Sequence, residues 1–172
     1  MTSLTFLPIQ PAKMSNCVLG IDPGYGRMGY GVVETKNGIA HCLTYGCIET
    51  PATMVLPDRL YAIHRAVVEL VREYTPRLVG VETILFQKNV KTAIAVAEAR
   101  GVVLSAVAAA GVAVVEVTPT EVKQALTGYG KAEKQQVQYM VKQLFRFTKV
   151  PKPDDAADAL AVAIATEGQG RF

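Results

Sequence analysis

Four acidic side chains stand where predicted secondary structure would bring carboxylates together. Asp22 and Glu82 each end a short apolar run of the kind that forms a buried β-strand. Asp155 and Asp158 lie three residues apart in an alanine-rich segment, so both point to one side of a helix. If the two strands are neighbours, Asp22 and Glu82 meet at the same edge of the sheet. Carboxylates clustered in this way can bind divalent cations and support phosphodiester hydrolysis.

The segment that carries Asp155 and Asp158 is apolar nearly all round, which predicts a buried helix. A carboxylate on a buried helix is costly unless something compensates its charge. Asp154 and Asp155 suit the positive end of the helix dipole, whereas Asp158 lies a turn further in. A bound cation would offset that cost, and oxygen ligands favour Mg²⁺ or Mn²⁺ over zinc.

Four carboxylates are more than an acid–base pair needs, and they match a site for two ions roughly 3.5–4 Å apart. The alternative interpretation is that these acids are helix caps or surface groups.

The glycine-rich turn after Asp22, which continues through Pro23 and Gly24 to Arg27, has a rival interpretation. Similar turns follow the first strand of actin- and hexokinase-like ATPases, but those enzymes need two such domains around a cleft. The turn matches no complete nucleotide-binding motif, and the chain length counts against the ATPase hypothesis. Arg27 faces this turn, where it either contacts phosphate or forms a structural salt bridge.

Hydrophobic spacing predicts a β-β-β-α-β-α-β-α-α-α order, and hence an α/β fold. Its mixed five-stranded sheet would consist of an antiparallel meander followed by β-α-β units, flanked by helices. Asn37-Gly38 predicts a hairpin turn, and Thr118 with Glu121 predicts a capping box. The predicted strands and helices are 17–22, 28–34, 39–49, 57–74, 78–81, 89–110, 112–117, 119–126, 131–145 and 154–166.

The chain has 172 residues, of which 50% are hydrophobic and 19% charged, which is enough for one domain with a core. We expect a flexible tail at 1–16, a nuclease domain at 17–167 and a short tail at 168–172. Three cysteines without metal-site spacing favour a reducing, intracellular setting. We expect no signal peptide, and no membrane span because Glu98, Arg100 and Ser105 interrupt the longest apolar stretch.

Positive charge is concentrated between residues 120 and 152. This segment has seven basic residues and only two acidic ones, Glu121 and Glu133. Such an excess of positive charge suits a polyanionic partner. The alternative is an ordinary solvated face. The basic residues are Lys123, Lys131, Lys134, Lys142, Arg146, Lys149 and Lys152.

Several short motifs together resemble the RuvC family of bacterial Holliday junction resolvases over about residues 17–166. They are Ile21-Asp22-Pro23-Gly24, Gly29-Tyr30-Gly31-Val32, Val81-Glu82, Ala99-Arg100-Gly101, Val122-Lys123-Gln124, Ala132-Glu133-Lys134 and Asp155 to Ala161. The resemblance implies an RNase H-like fold, a homodimer, and Mg²⁺ or Mn²⁺ as cofactor with two ions per active site. It also implies junction DNA as substrate, branch-migration helicase partners of the RuvA and RuvB type, and a cytoplasmic location in bacteria.

Carried over residue by residue, the resemblance makes Asp22, Glu82, Asp155 and Asp158 the catalytic metal ligands. It places Lys123 near the substrate backbone, together with Lys134.

The family also uses an aromatic residue soon after the strand-end glutamate to wedge the junction open. Leu85 stands at the usual place and Phe86 follows, so Phe86 is our candidate, with core packing as the alternative. Lys88 and Lys91 are further DNA-binding candidates, as is Arg27; for Lys91 an exposed helix face is the alternative.

We therefore expect a structure-selective endonuclease that resolves four-way DNA junctions by symmetric paired nicks in recombination and repair. The alternatives are a junction-binding module without nuclease activity and another RNase H-like nuclease.

Overall fold

The central strand of the sheet is β1, which carries the first acidic residue at its end. In the computed structural model, which describes residues 15–84 and 90–169, the strand order is β3-β2-β1-β4-β5. β1, β2 and β3 form an antiparallel meander, whereas β1, β4 and β5 are parallel, which confirms the predicted mixed sheet. The strands are β1 (Cys17–Asp22), β2 (Arg27–Lys36), β3 (Ile39–Glu49), β4 (Leu78–Glu82) and β5 (Ala113–Val117).

Helices cover both faces of the sheet and enclose two apolar cores. α1 and α2 pack on one face over residues such as Leu19, Ile21 and Val81. α5 packs on the other face with α3 and α4, over Val18 and Val33. The helices are α1 (Leu56–Tyr74), α2 (Val90–Ala109), α3 (Pro119–Thr127), α4 (Lys134–Leu144) and α5 (Asp154–Gln169).

Two predicted local signals are present in the structure. Asn37 and Gly38 both have positive φ angles, 53° and 79°, as the Asn-Gly hairpin requires. The Thr118 hydroxyl accepts the Glu121 backbone N–H at 3.2 Å, and the Glu121 carboxylate accepts the Thr118 N–H at 2.7 Å. This capping box fixes the start of α3 next to the end of β5.

Most predicted boundaries are within one or two residues of those observed, and three positions differ for identifiable reasons or by more. α4 begins at Lys134 rather than residue 131, because Glu133 has extended backbone angles and forms a capping box with Gln136. α5 continues to Gln169, past the predicted end at residue 166. Ser15, which we expected in the flexible tail, donates its hydroxyl to the Tyr74 carbonyl at 2.6 Å and is anchored to the end of α1.

α2 is the most apolar helix on the surface. Its stretch Thr92–Ala109 is long and apolar enough to cross a membrane by length and composition. The charged residues Glu98 and Arg100 therefore do not by themselves exclude a membrane span, contrary to our expectation. The core helix of a soluble protein passes the same test, and Ala99, Val103, Ala106 and Val107 face the core under α1 and α2. Only 22% of the stretch is buried, however, which leaves an apolar outer face.

Candidate active site

The parallel pairing of β1 and β4 places Asp22 beside Glu82. Ile21 pairs with Val81, and the following residue of each strand is the acidic one. Because side chains alternate along a strand, the two carboxylates lie on the opposite face from Ile21 and Val81. Those apolar residues belong to the core under α1 and α2, so Asp22 and Glu82 lie on the face covered by α5.

α5 brings the other two carboxylates to this edge of the sheet. The middle of this helix is buried, and its first two turns carry Asp155 and Asp158. Burial raises the pKa of Asp22 to about 8, and the negative charges of Glu82, Asp158 and Asp155 add to that increase. The structure therefore brings the four acids predicted from sequence into one electrostatically coupled group. Their role as metal ligands stays a prediction.

The same physical causes act on the neighbouring acids. Burial, with the charge of Asp158, raises the pKa of Glu82 to about 7, although Lys134 and Lys123 oppose the increase. Burial also raises the pKa of Asp158, against the hydrogen bond from Lys134. Raised pKa values on several adjacent carboxyl groups are typical of sites that bind a cation or move a proton.

Lys134 is the cation in closest contact with the acids. Its Nζ lies 2.6 Å from Oδ2 of Asp158 and 2.8 Å from Oδ2 of Asp154. Burial alone would lower the pKa of Lys134, but the hydrogen bonds to the two aspartates outweigh it and raise that pKa. Lys134 thus lies against the acidic group, and its contact with the substrate backbone stays a prediction.

Arg27 forms a salt bridge in the structure, one of the two alternatives the sequence left open. Its Nε lies 3.3 Å from Oδ2 of Asp155, and its side chain is 53% exposed. The contact lacks hydrogen-bond geometry, so Oδ2 of Asp155 is buried without a hydrogen-bond donor. The guanidinium is still open to solvent beside the site.

A groove runs along both sides of Glu82 and joins the acids to the basic residues. One part is lined by Glu82, Asp158, Lys134 and Lys123. The other is lined by Asp22, Glu82, Thr83 and Lys123, together with the residues at the start of α3. Lys123 is held at the groove by α3, whose capping box begins at the end of β5. The structure therefore places Lys123 and Lys134 beside the acids.

The donor chemistry of this site fits a divalent cation. All four groups offer carboxylate oxygens, and Oδ2 of Asp155 is a buried oxygen without a hydrogen-bond donor. Within residues 15–84 and 90–169, no three acidic, histidine or cysteine side chains lie close enough together to coordinate one metal ion. Two of the four acids have basic partners instead, since Lys134 pairs with Asp158 and Arg27 with Asp155.

Two of the predicted DNA contacts, Phe86 and Lys88, lie outside the described residues. Lys91 belongs to the first turn of α2, and only its backbone is described. The roles of all three stay predictions.

Sequence reasoning missed several contacts and residues that shape this site. Asp154 pairs with Lys134, a contact that a cap signal alone does not reveal. The Thr83 hydroxyl follows Glu82 and is buried without a hydrogen-bond partner in the described part of the chain. Arg59 donates to the Thr50 hydroxyl at 2.9 Å and stacks over the Tyr25 ring at 4.7 Å, which clamps the turn after β1. A basic residue in the first turn of α1 was the only sequence signal for that clamp.

Comparison with known protein families finds one family that matches most of the chain. The family described as "Crossover junction endodeoxyribonuclease RuvC" matches residues 18–166. A protein of that description from Syntrophomonas wolfei is 53% identical over 147 residues, which cover 86% of each chain.

Solved structures agree with this fold. Thermus thermophilus RuvC superposes with a TM-score of 0.83 at 37% identity, covering 90% of this chain and 95% of that one. The same protein in complex with a Holliday junction substrate gives a TM-score of 0.82 at 33% identity, with the same coverage.

Proposed function

The chain belongs to the RuvC family of crossover junction endodeoxyribonucleases, and from this membership we propose that it resolves four-way DNA junctions at its acidic site. The observation that carries the proposal is the electrostatic coupling of two strand-end acids, Asp22 and Glu82, with Asp155 and Asp158 of α5. Four half-buried carboxylates that repel one another destabilise the fold, and the two ion pairs offset only part of that cost. A hydrolytic site for a polyanion explains them.

We further propose that the four carboxylates hold Mg²⁺ or Mn²⁺, two ions per site. Ions bound there would neutralise charge on the scissile phosphate and lower the pKa of the attacking water. The chain's own contribution is to hold four carboxylates on rigid elements, two at strand ends and two on a buried helix. Rigid placement matters because hydrolysis depends on the alignment of the phosphate with the water.

The groove and its lysines support a role in substrate placement. Lys123 and Lys134 line it beside Glu82 and Asp158, where a phosphate backbone would pass the acids. The basic surface between residues 120 and 152 extends from there along α3 and α4. We propose that Arg27 contributes a further phosphate contact, since its guanidinium is exposed at the edge of the site. Phe86, Lys88 and Lys91 complete the proposed DNA interface.

A homodimer is supported by the outer face of α2. Ile94 is 56% exposed, and the small residues Ala97, Gly101 and Ala108 are also exposed along this helix. Small residues permit close approach of a second helix, and apolar surface of this extent favours burial. A twofold dimer would present two identical acidic sites to a junction that is itself approximately twofold symmetric, which explains paired nicks.

The remaining parts of the proposal concern cellular context. Branch-migration helicase proteins of the RuvA and RuvB type would deliver junctions to this enzyme. A chromosomal DNA substrate supports the bacterial cytoplasm as its location.

The test uses a synthetic four-way junction labelled on each strand in turn, incubated with the protein in Mg²⁺ or Mn²⁺. We expect paired nicks on opposing strands for the parent chain. An Asp22→Asn variant should bind the junction without nicking it. Junction binding by the parent without nicks under either metal would instead identify a binding module.

A competition assay separates junction resolution from the activity of other RNase H-like nucleases. An excess of unlabelled linear duplex should leave junction cleavage nearly unchanged. Equal competition by linear duplex and junction would contradict structure selectivity.

A further inference from the structure

Three glycines form a row across the middle of the sheet, directly beneath α5. Gly20 of β1 pairs with Gly31 of β2 on one side and with Gly80 of β4 on the other. A Cβ atom on any of them would lie closer than 3.0 Å to α5, a distance that real Cβ atoms essentially never show. The helix therefore packs against the bare backbone of the sheet.

A fourth glycine lies one step nearer to the acids. Gly29 pairs directly with Asp22 in the β1–β2 register. Its Cβ position falls on the backbone carbonyl of Asp155, well inside 3.0 Å. Gly29 thus contacts two residues of the acidic site. Asp22 is its partner in the neighbouring strand, and Asp155 packs against it from α5.

The nature of the contact distinguishes Gly29 from Gly31. A Cβ on Gly31 would meet mainly the side chain of Leu160, at 2.8 Å from Cδ2 and 2.9 Å from Cγ, and would lie 3.0 Å from its Cα. Leu160 lies five residues beyond Asp155, so this overlap falls on the body of α5 and not on the end that carries Asp155. A Cβ on Gly29 would meet main-chain atoms at the start of α5, which can move only if that end of the helix moves.

We propose that Gly29 is a positioning residue, whose missing side chain sets the separation between the carboxylates of Asp22 and Asp155. This inference rests on the proposed metal-dependent function. It assigns the geometry of the acidic site to a residue that has no functional group of its own. Gly20, Gly31 and Gly80 hold the body of α5, and Gly29 holds the end that carries the ligand.

A side chain at Gly29 would displace the start of α5 far enough to disturb the acidic site. Relieving the overlap at Gly29 requires the start of α5 to move away by about 1 Å. Functional constellations tolerate only about 0.5 Å, and Mg²⁺ requires ligands near 2.0–2.1 Å in an almost ideal octahedron. Asp155 would then no longer reach an ion that Asp22 holds.

The test measures Mn²⁺ affinity by calorimetric titration of the full chain, with Gly29→Ala compared with Gly31→Ala. We expect Gly29→Ala to weaken binding roughly tenfold to a hundredfold, the range for lost support of a metal ligand. Gly31→Ala should change affinity less than about threefold even where it lowers the melting temperature, because its overlap is with Leu160, five residues beyond Asp155. Unchanged affinity in Gly29→Ala, or an equal loss in both variants, would overturn the inference.

A further variant, Asp155→Glu, covers the case in which Gly29→Ala does not fold. Asp155→Glu alters only the length of a partly exposed side chain, and it should also weaken Mn²⁺ binding, because the native spacing suits the shorter acid. Full affinity in Asp155→Glu would contradict a spacing set by Gly29.

Where Gly29→Ala does fold, adding Asp155→Glu to it should restore part of the lost affinity, since the longer side chain spans the widened gap. Failure of that rescue would count against the inference.

Junction cleavage by the parent separates this inference from the proposed function. If the parent cuts junctions and Gly29→Ala binds Mn²⁺ as tightly as the parent, the positioning role fails and the function stands. If the parent binds no Mn²⁺ and cuts nothing, both fail.

Discussion

The Nζ atom of Lys134, at the first residue of α4, lies 2.6 Å from Oδ2 of Asp158 on α5. Lys134 belongs to the basic surface between residues 120 and 152, and Asp158 belongs to the acidic site. Their contact therefore joins the two. The same lysine lowers the pKa of Glu82 through space, against the burial that raises it. Lys134 therefore reduces the electrostatic repulsion among the acids, and it also lines the groove where a phosphate would lie.

We predict that Lys134→Gln weakens junction binding and reduces its salt dependence. Loss of one phosphate contact should lower the slope of log affinity against log salt by about 0.9. Binding is measured by fluorescence anisotropy in Ca²⁺ across a salt series. Lys36→Gln is the matched control, because Lys36 ends β2 away from the site and pairs with Glu34. An unchanged slope for Lys134→Gln would remove Lys134 from the phosphate path.

We predict that Asp22→Asn abolishes cleavage but stabilises the fold at alkaline pH. The pKa of Asp22 is raised from 3.8 to about 8, so the folded chain holds a proton that the unfolded chain releases. The stability that this proton contributes is fully present below about pH 4 and is lost as the pH rises through 8. Near pH 8.5 the variant should be more stable than the parent by about 1–3 kcal/mol.

The measurement is urea unfolding at several pH values between 5 and 8.5 with a chelator present. The advantage of Asp22→Asn should shrink steadily as the pH falls. A constant difference between variant and parent would mean that Asp22 is an ordinary, solvated carboxyl group.

We predict opposite outcomes for two adjacent acids at the start of α5. Asp155→Asn should reduce junction cleavage at least about a hundredfold, because Asp155 belongs to the coupled group that acts on Asp22. Asp154→Asn should retain activity within about fivefold, since Asp154 has only a partly exposed ion pair with Lys134. Single-turnover cleavage rates provide the comparison. Equal losses would show that the register of ligands along α5 is misassigned.

We predict that Ile94→Asp converts the proposed dimer into monomers. A carboxylate buried at an apolar interface without a partner costs several kcal/mol, whereas on an exposed helix face it costs little. Sedimentation velocity should show the change in mass, and nicks on the two junction strands should become independent. Val68→Asp on α1 is the control, because Val68 is also an exposed apolar residue. A parent that sediments as a monomer, or a dimer that survives Ile94→Asp, would contradict the α2 interface.

Local chemistry made much of this protein predictable from sequence. The hairpin at Asn37, the capping box at Thr118 and the buried character of α5 follow from backbone sterics and hydrophobic spacing, which neighbouring residues determine. The start of α4 was misplaced by three residues because hydrophobic spacing does not reveal that Glu133 takes the extended backbone of a cap and forms a capping box with Gln136. The acids at strand ends were identifiable because each directly follows an apolar run that predicts a buried strand.

The tertiary structure decided what those residues touch. The sequence left Arg27 between a phosphate contact and a salt bridge, and the packing of α5 against β2 brings it to Asp155. Lys134 and Asp158 are 24 positions apart, so no local period relates them, and their contact depends on how α4 and α5 pack. Gly29 could be read as a permissive strand residue until the register placed it opposite Asp22. Sequence patterns carry local preferences, whereas distances between elements arise only when side-chain volume, or its absence, sets how closely the elements pack.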